Sequence, residues 1–160
     1  MIVYHSRMSL SSRDVAALAM SLIVYLYVDV MYVTTVRFEA YKQSVVDISG
    51  KWSPRAWAGI LAYTCMAIVW TLVGGSLVLR NAFGDVLENV YARATVVGVV
   101  YALALYGIYN ATLLAQFARY DVRLAMSDMA WGLFWSVVSF LMLAATRHLF
   151  SESSTPPHSD

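Results

Sequence analysis

Four long apolar runs set the terms for this chain. They cover approximately Val15–Val36, Ala56–Leu79, Ala94–Phe117 and Met126–Leu149. Each exceeds the roughly 20 residues that a helix needs to cross the hydrocarbon core. Strands of a membrane barrel would be ~10 residues long and strictly alternating, a pattern absent here. With no water in the bilayer to satisfy open backbone groups, helices remain. Composition agrees: 60% of the 160 residues are hydrophobic and 13% charged, against ~45–50% and ~25% in an average soluble domain. A soluble chain this short could not bury so much apolar surface. The expected fold is all-α, an integral membrane four-helix bundle with both termini on one side.

The chain divides into a polar N-terminal segment (1–14), a four-helix transmembrane domain (15–149) and a polar C-terminal tail (150–160) with Pro156-Pro157, expected to be flexible. Ser53-Pro54 reads as the N-cap and first position of the second spanning helix. Asp85 and Glu88 read as a capping box that starts the third at about Val86. Run to Phe117, that helix would be about 48 Å long and stand proud of the bilayer. In the longest connection, Arg37–Arg55, residues Phe38, Tyr41 and Val45 fall at helical spacing, which suits a short interfacial helix; an ordinary polar loop is the alternative. The short connection near Ala118–Ala125 implies an antiparallel hairpin. The start, MIVYHSRMSLSSR, carries arginines and serines and no acid before Asp14, a pattern faintly like a mitochondrial transit segment; it would place the chain in the mitochondrial inner membrane. Five Arg on the terminal side (Arg7, Arg13, Arg80, Arg93, Arg147) face six Lys or Arg on the other (Arg37, Lys42, Lys51, Arg55, Arg119, Arg123), too even for the positive-inside rule to set an orientation.

Several chemistries lack their residues. The net charge is +1 with no basic stripe, so nucleic acid is not an expected partner. Cys65 is the sole cysteine and His5, His148 and His158 are peripheral, which leaves no metal-site pattern. No serine triad, phosphate loop or dinucleotide fingerprint appears. No catalytic residue, metal or cofactor is assigned, and the chain is expected not to be an enzyme. The small residues Gly74-Gly75, Gly98 with Ala102, and Ala111 with Ala115 suit close helix packing. Trp52 and Trp57 suit an aromatic belt.

The informative residues are the polar ones inside the spans, because a charge at the bilayer centre costs at least ~2.5–3.5 kcal/mol on insertion scales. Asp29 lies on one helix face with Tyr25 and Tyr32. Counting back from Arg37, it sits roughly 12 Å inside the membrane. Asn110, with Tyr106 four residues earlier and Tyr109 beside it, lies at similar depth. Asp128 enters with the fourth helix, on a face with Trp131 and Trp135, and the second helix brings Tyr63 and Thr64 to the same level. A shared polar cluster of Asp29, Asn110, Asp128, Tyr106, Tyr109, Tyr63 and Thr64 in one leaflet follows if the bundle is compact. The structural alternatives are that Asp128, or Ser127, caps the fourth helix, that Asn110 is interhelical glue, and that Asp29 is held protonated or bonded to its neighbours.

Three stretches together, VDVMYV, YGIYNATLL and SDMAWG, resemble a family of small four-span membrane proteins catalogued as domain of unknown function 2177. The resemblance covers roughly Leu18 to Ala145. Asp29 matches the family's aspartate near the end of helix one. Tyr106, Gly107, Tyr109 and Thr112 match its Tyr-Gly-x-Tyr-Asp-x-Thr-Asn stretch, with Asn110 in place of the Asp and Leu113 in place of the Asn. Asp128, Trp131 and Gly132 match its Asp-x-x-Trp-Gly motif. The two departures remove a carboxylate and an amide from the expected cluster. The family brings no activity with it.

The expected function is therefore that of a non-catalytic accessory or structural subunit of a larger membrane assembly, such as a respiratory or other energy-transducing complex. Its partners would be the lipid bilayer and other membrane subunits, or further copies of itself. The alternative is a small transporter or proton-linked carrier using Asp29, Asn110 and Asp128. A lipid-directed enzyme is the weakest reading, resting on two carboxylates without histidine support.

Overall fold

The computed structural model describes residues 10–80 and 87–152. Five helices carry the fold: α1 Ser12–Val36, α2 Phe38–Ser49, α3 Ala56–Leu79, α4 Val90–Gln116 and α5 Val122–Glu152. All but α2 are long and apolar enough to cross a membrane, and no strand occurs among the described residues. The four-span helical reading holds.

Local chemistry moves several boundaries. Helix α1 begins at Ser12 rather than Val15, because Ser11 and Asp14 form a reciprocal capping box. Helix α3 begins at Ala56, with Arg55 as its N-cap. Ser53-Pro54 lies in the lead-in, since the carbonyl of Arg55 is the first to accept, from the amides of Ala58 and Gly59. Helix α4 starts at Val90 because the Asn89 side chain accepts from the amides of Tyr91 and Ala92. Asp85, half of the expected capping box, lies outside the described residues, as do Gly84, the tail from residue 153 and most of the stretch that suggests a mitochondrial address. The long helix is α5, with 31 residues or about 46 Å. Asp121 starts it, accepting from the amide of Arg123. The connection over Arg37–Arg55 does contain a helix, α2, closed by Gly50 in the left-handed region at φ 78.

Helix α5 is the centre of the bundle, packed most extensively on α4 and then on α1. Its contact with α4 is close because Gly98 lacks a side chain: a Cβ there would lie 2.6 Å from the Val137 Cα. Gly74 similarly seats Leu143 and Phe140. By contrast, Ala111 and Ala115 are exposed. On the terminal side, Arg147 pairs with Asp14 at 3.0 Å, tying the end of α5 to the start of α1. Near mid-span, on the terminal side of Asp29, the bundle holds an aromatic stack. Tyr25 lies parallel to Trp70, Trp70 to Phe140, and Tyr101 meets both Tyr25 and Phe140 edge-on. At the opposite end α2 lies against α4 and α5 through a second apolar cluster, in which Tyr41 and Ile48 meet Leu113, Tyr120 and Leu124.

Gly98→Ala should force α4 and α5 apart, because the atoms it meets are backbone and cannot turn aside. We expect a loss of about 1–3 kcal/mol, read as a lowered melting temperature in detergent. Gly59→Ala, where nothing lies within 4 Å, is the control expected to change little.

Candidate polar centre

Tyr106 on α4 connects the polar residues of four helices. Its hydroxyl donates to Asp29 Oδ1 at 2.9 Å and lies 3.2 Å from the Tyr25 hydroxyl. Its backbone carbonyl accepts from the Asn110 side-chain amide at 2.9 Å. That amide also donates to Asp128 Oδ2 at 2.6 Å.

The helix is shaped to allow this. Ala94, Gly98, Ala102, Tyr106 and Asn110 are all buried at strict intervals of four. In a regular α-helix each such step drifts about 40° around the axis. The π-helical turn at Leu103–Gly107 inserts an extra residue and restores the phase. The Tyr106 ring then lies on Gly132 of α5, where a Cβ would sit 2.1 Å from the ring.

Asp29 is 3% exposed and accepts three hydrogen bonds. Besides Tyr106, Trp131 donates its indole N–H to Oδ1 at 3.1 Å and Tyr63 on α3 its hydroxyl to Oδ2 at 3.2 Å. Asp128 is 5% exposed; it accepts from Asn110 and from the Tyr41 hydroxyl of α2. Asn110 in turn accepts from the Tyr120 hydroxyl at 3.1 Å. Every donor to the two carboxylates is a neutral group. Burial first, then donation to Asp128, pushes the Tyr41 phenol well above its ordinary 10.0, so Tyr41 remains a donor at physiological pH. Beside this network Arg37 donates to Ser127 and to the Tyr32 hydroxyl, and Tyr32 stacks on Trp131 at 4.1 Å.

The expected cluster thus forms around Asp29, Asn110, Asp128, Tyr106 and Tyr63. Two of its members are elsewhere. Thr64 is exposed and turns its hydroxyl back onto the Ile60 carbonyl, as hydroxyls inside membrane helices do when no neighbour offers a better partner. Tyr109 is 54% exposed and lines an adjoining cavity, since one residue before Asn110 it falls off the buried face. Asp128 is interior to α5, so it caps nothing. Tyr41 and Tyr120 join unannounced. Tyr41 reads as part of an apolar stripe, and its hydroxyl was the available signal. Tyr120 lies in the α4–α5 connection, where periodicity gives no direction.

A model of a membrane protein family matches residues 15–145, most of the chain. The chain belongs to this family, described as predicted membrane protein, domain of unknown function 2177. No curated protein and no solved structure matches it. In this member of domain of unknown function 2177, the motif residues Asp29, Tyr106, Asp128, Trp131 and Gly132 meet in the polar centre, while Thr112 is exposed. Where the resemblance implies an aspartate, Asn110 supplies Asp128 with a donor. A second carboxyl there would need a shared proton instead. Leu113, in place of the family's Asn, packs against the apolar Tyr120 and Leu124 cluster.

Asp29→Leu would leave Tyr63, Tyr106 and Trp131 without their acceptor, at about 1–3 kcal/mol for each donor stranded. Against a total stability of ~5–15 kcal/mol, we expect loss of the monodisperse folded protein in size-exclusion chromatography. Asp29→Asn keeps one acceptor oxygen and should fold with a lowered melting temperature. A leucine variant as stable as the parent would show the network to be dispensable.

Proposed function

We propose that this chain is a non-catalytic accessory subunit that packs against another membrane protein through α3. The supporting observation is the unequal burial of the spans. In the most apolar stretch of α3 only 6% of residues are buried inside the bundle, against 28, 28 and 39% for α1, α4 and α5. Its outward face carries Trp57, Leu61, Thr64, Ile68 and Leu72, all exposed. Their three-and-four spacing is that of a seam between helices.

A carrier function draws less support. The aromatic stack of Tyr25, Trp70, Tyr101 and Phe140 fills the bundle between the polar centre and the terminal side. A transported ion would have to part that stack. The two carboxylates are also already engaged by neutral donors on α2, α3, α4 and α5.

The test is the native size of the endogenous protein after gentle detergent extraction, with mass spectrometry of co-migrating bands. Migration with a larger assembly is expected. Leu61→Trp combined with Ile68→Trp should release the chain from it without lowering its own melting temperature. Migration alone would remove the accessory reading. A homo-oligomer dispersed by the same pair would retain α3 as the contact but place a second copy in the partner's role.

A further inference from the structure

Beside the polar centre is a cavity of about 520 Å³ lined mainly by α2, α3 and α4, with Val33 of α1 and Asp128 of α5, within the roughly 300–1,000 Å³ of small-molecule sites. Its walls are aliphatic, with Val45, Met66, Val69 and Leu105 among the residues that line it. Its polar lining is Asp128 with the phenols of Tyr41, Tyr63, Tyr106 and Tyr109, beside Trp52 and Cys65. The site is therefore apolar, with one carboxyl group set among aromatic rings.

We propose that this cavity binds a single-chain amphiphile with a cationic amine head, the ammonium at Asp128 and the aliphatic chain along α3. Three observations choose that occupant. First, both donors to Asp128 are neutral, a phenol and an amide, and the neighbouring Arg37 guanidinium is bonded to Ser127 and Tyr32. Second, an ionised carboxylate offers about four acceptor positions, and these donors use two. Third, phenol rings around a carboxylate recognise ammonium by cation–π attraction, which neither an alcohol nor a carboxylate head can use. A fatty carboxylate would place a second carboxyl beside Asp128, where the pair would need a shared proton. The cavity face of α3 is distinct from the face carrying Leu61 and Ile68, so amphiphile and partner subunit can be bound together.

The experiment uses the full-length chain in maltoside micelles and native mass spectrometry, with dodecylamine, dodecanol and dodecanoate added in turn at equal concentration. One dodecylamine should be retained per chain, at roughly tenfold higher occupancy than either chain-matched probe, a difference readily resolved. Asp128→Asn should abolish the preference for the amine. Because Asp128 also serves the network, two variants outside it keep the test decisive should that protein fail to fold. Tyr109→Leu should weaken retention of the amine alone, and Val69→Trp should exclude the amine by filling the wall. Equal retention of the three probes, retention of none, or an amine preference that survives both Tyr109→Leu and Val69→Trp would overturn the proposal.

Discussion

One residue, Tyr106, carries the join between the two buried carboxylates. Its hydroxyl bonds Asp29 of α1 and its carbonyl is bonded by Asn110, which bonds Asp128 of α5. In water such contacts compete with solvent. In the bilayer there is no competing water, and an unmade bond leaves a polar group in hydrocarbon. Interhelical hydrogen bonds in membranes average only about 0.6 kcal/mol each. A shared network can still set helix register, because its members are satisfied only in one arrangement. Tyr106 reaches both partners because Gly132 leaves room for its ring and a π turn aims it inward.

The two halves of the bundle solve the same problem by different means. Toward the terminal side, aromatic rings stack and their polar tips find backbone or hydroxyl partners: Trp70 donates to Ser139, Trp135 to the Tyr25 carbonyl and Tyr101 to the Met66 carbonyl. Toward the other side, carboxylates collect donors. There α2 and the α4–α5 connection fold inward, and Tyr41 and Tyr120 complete the network from elements outside the spans. An interfacial helix that contributes a hydrogen bond to an intramembrane aspartate is part of the core, although its composition is that of a surface helix.

Much of this was legible in the residues. Span number, topology and the level of Asp29, Asn110, Asp128 and Tyr63 follow from length and rise per residue, because a bilayer imposes a common depth scale. Their meeting depends on rotation about each helix axis, which regular periodicity describes only while the helix is regular. The interval of four from Ala94 to Asn110 is the visible trace of the π turn, since no α-helix keeps such a series on one face. Thr64 differs for a related reason: depth alone cannot say that it lies about 100° around α3 from Tyr63, on the exposed face. Asp128 looked like a cap because the apolar run begins near it, whereas Asp121 starts the helix where apolarity gives no cue.

The position of α3 ties the structural and functional readings together. Tyr63 anchors it to Asp29, and Trp70, Val78 and Leu79 bury its later half. Its earlier half, from Ala56 to Val69, touches the bundle sparingly and walls the cavity on one side. A helix held firmly at one end and loosely at the other can admit a chain behind it while presenting its outer face to a neighbour. The cost of leaving those apolar residues unpacked is small in lipid, which removes the usual penalty for a helix that stands off its own fold. Such an arrangement would be unstable in a water-soluble bundle of this size; in a membrane it leaves α3 available for contacts that the chain itself does not make.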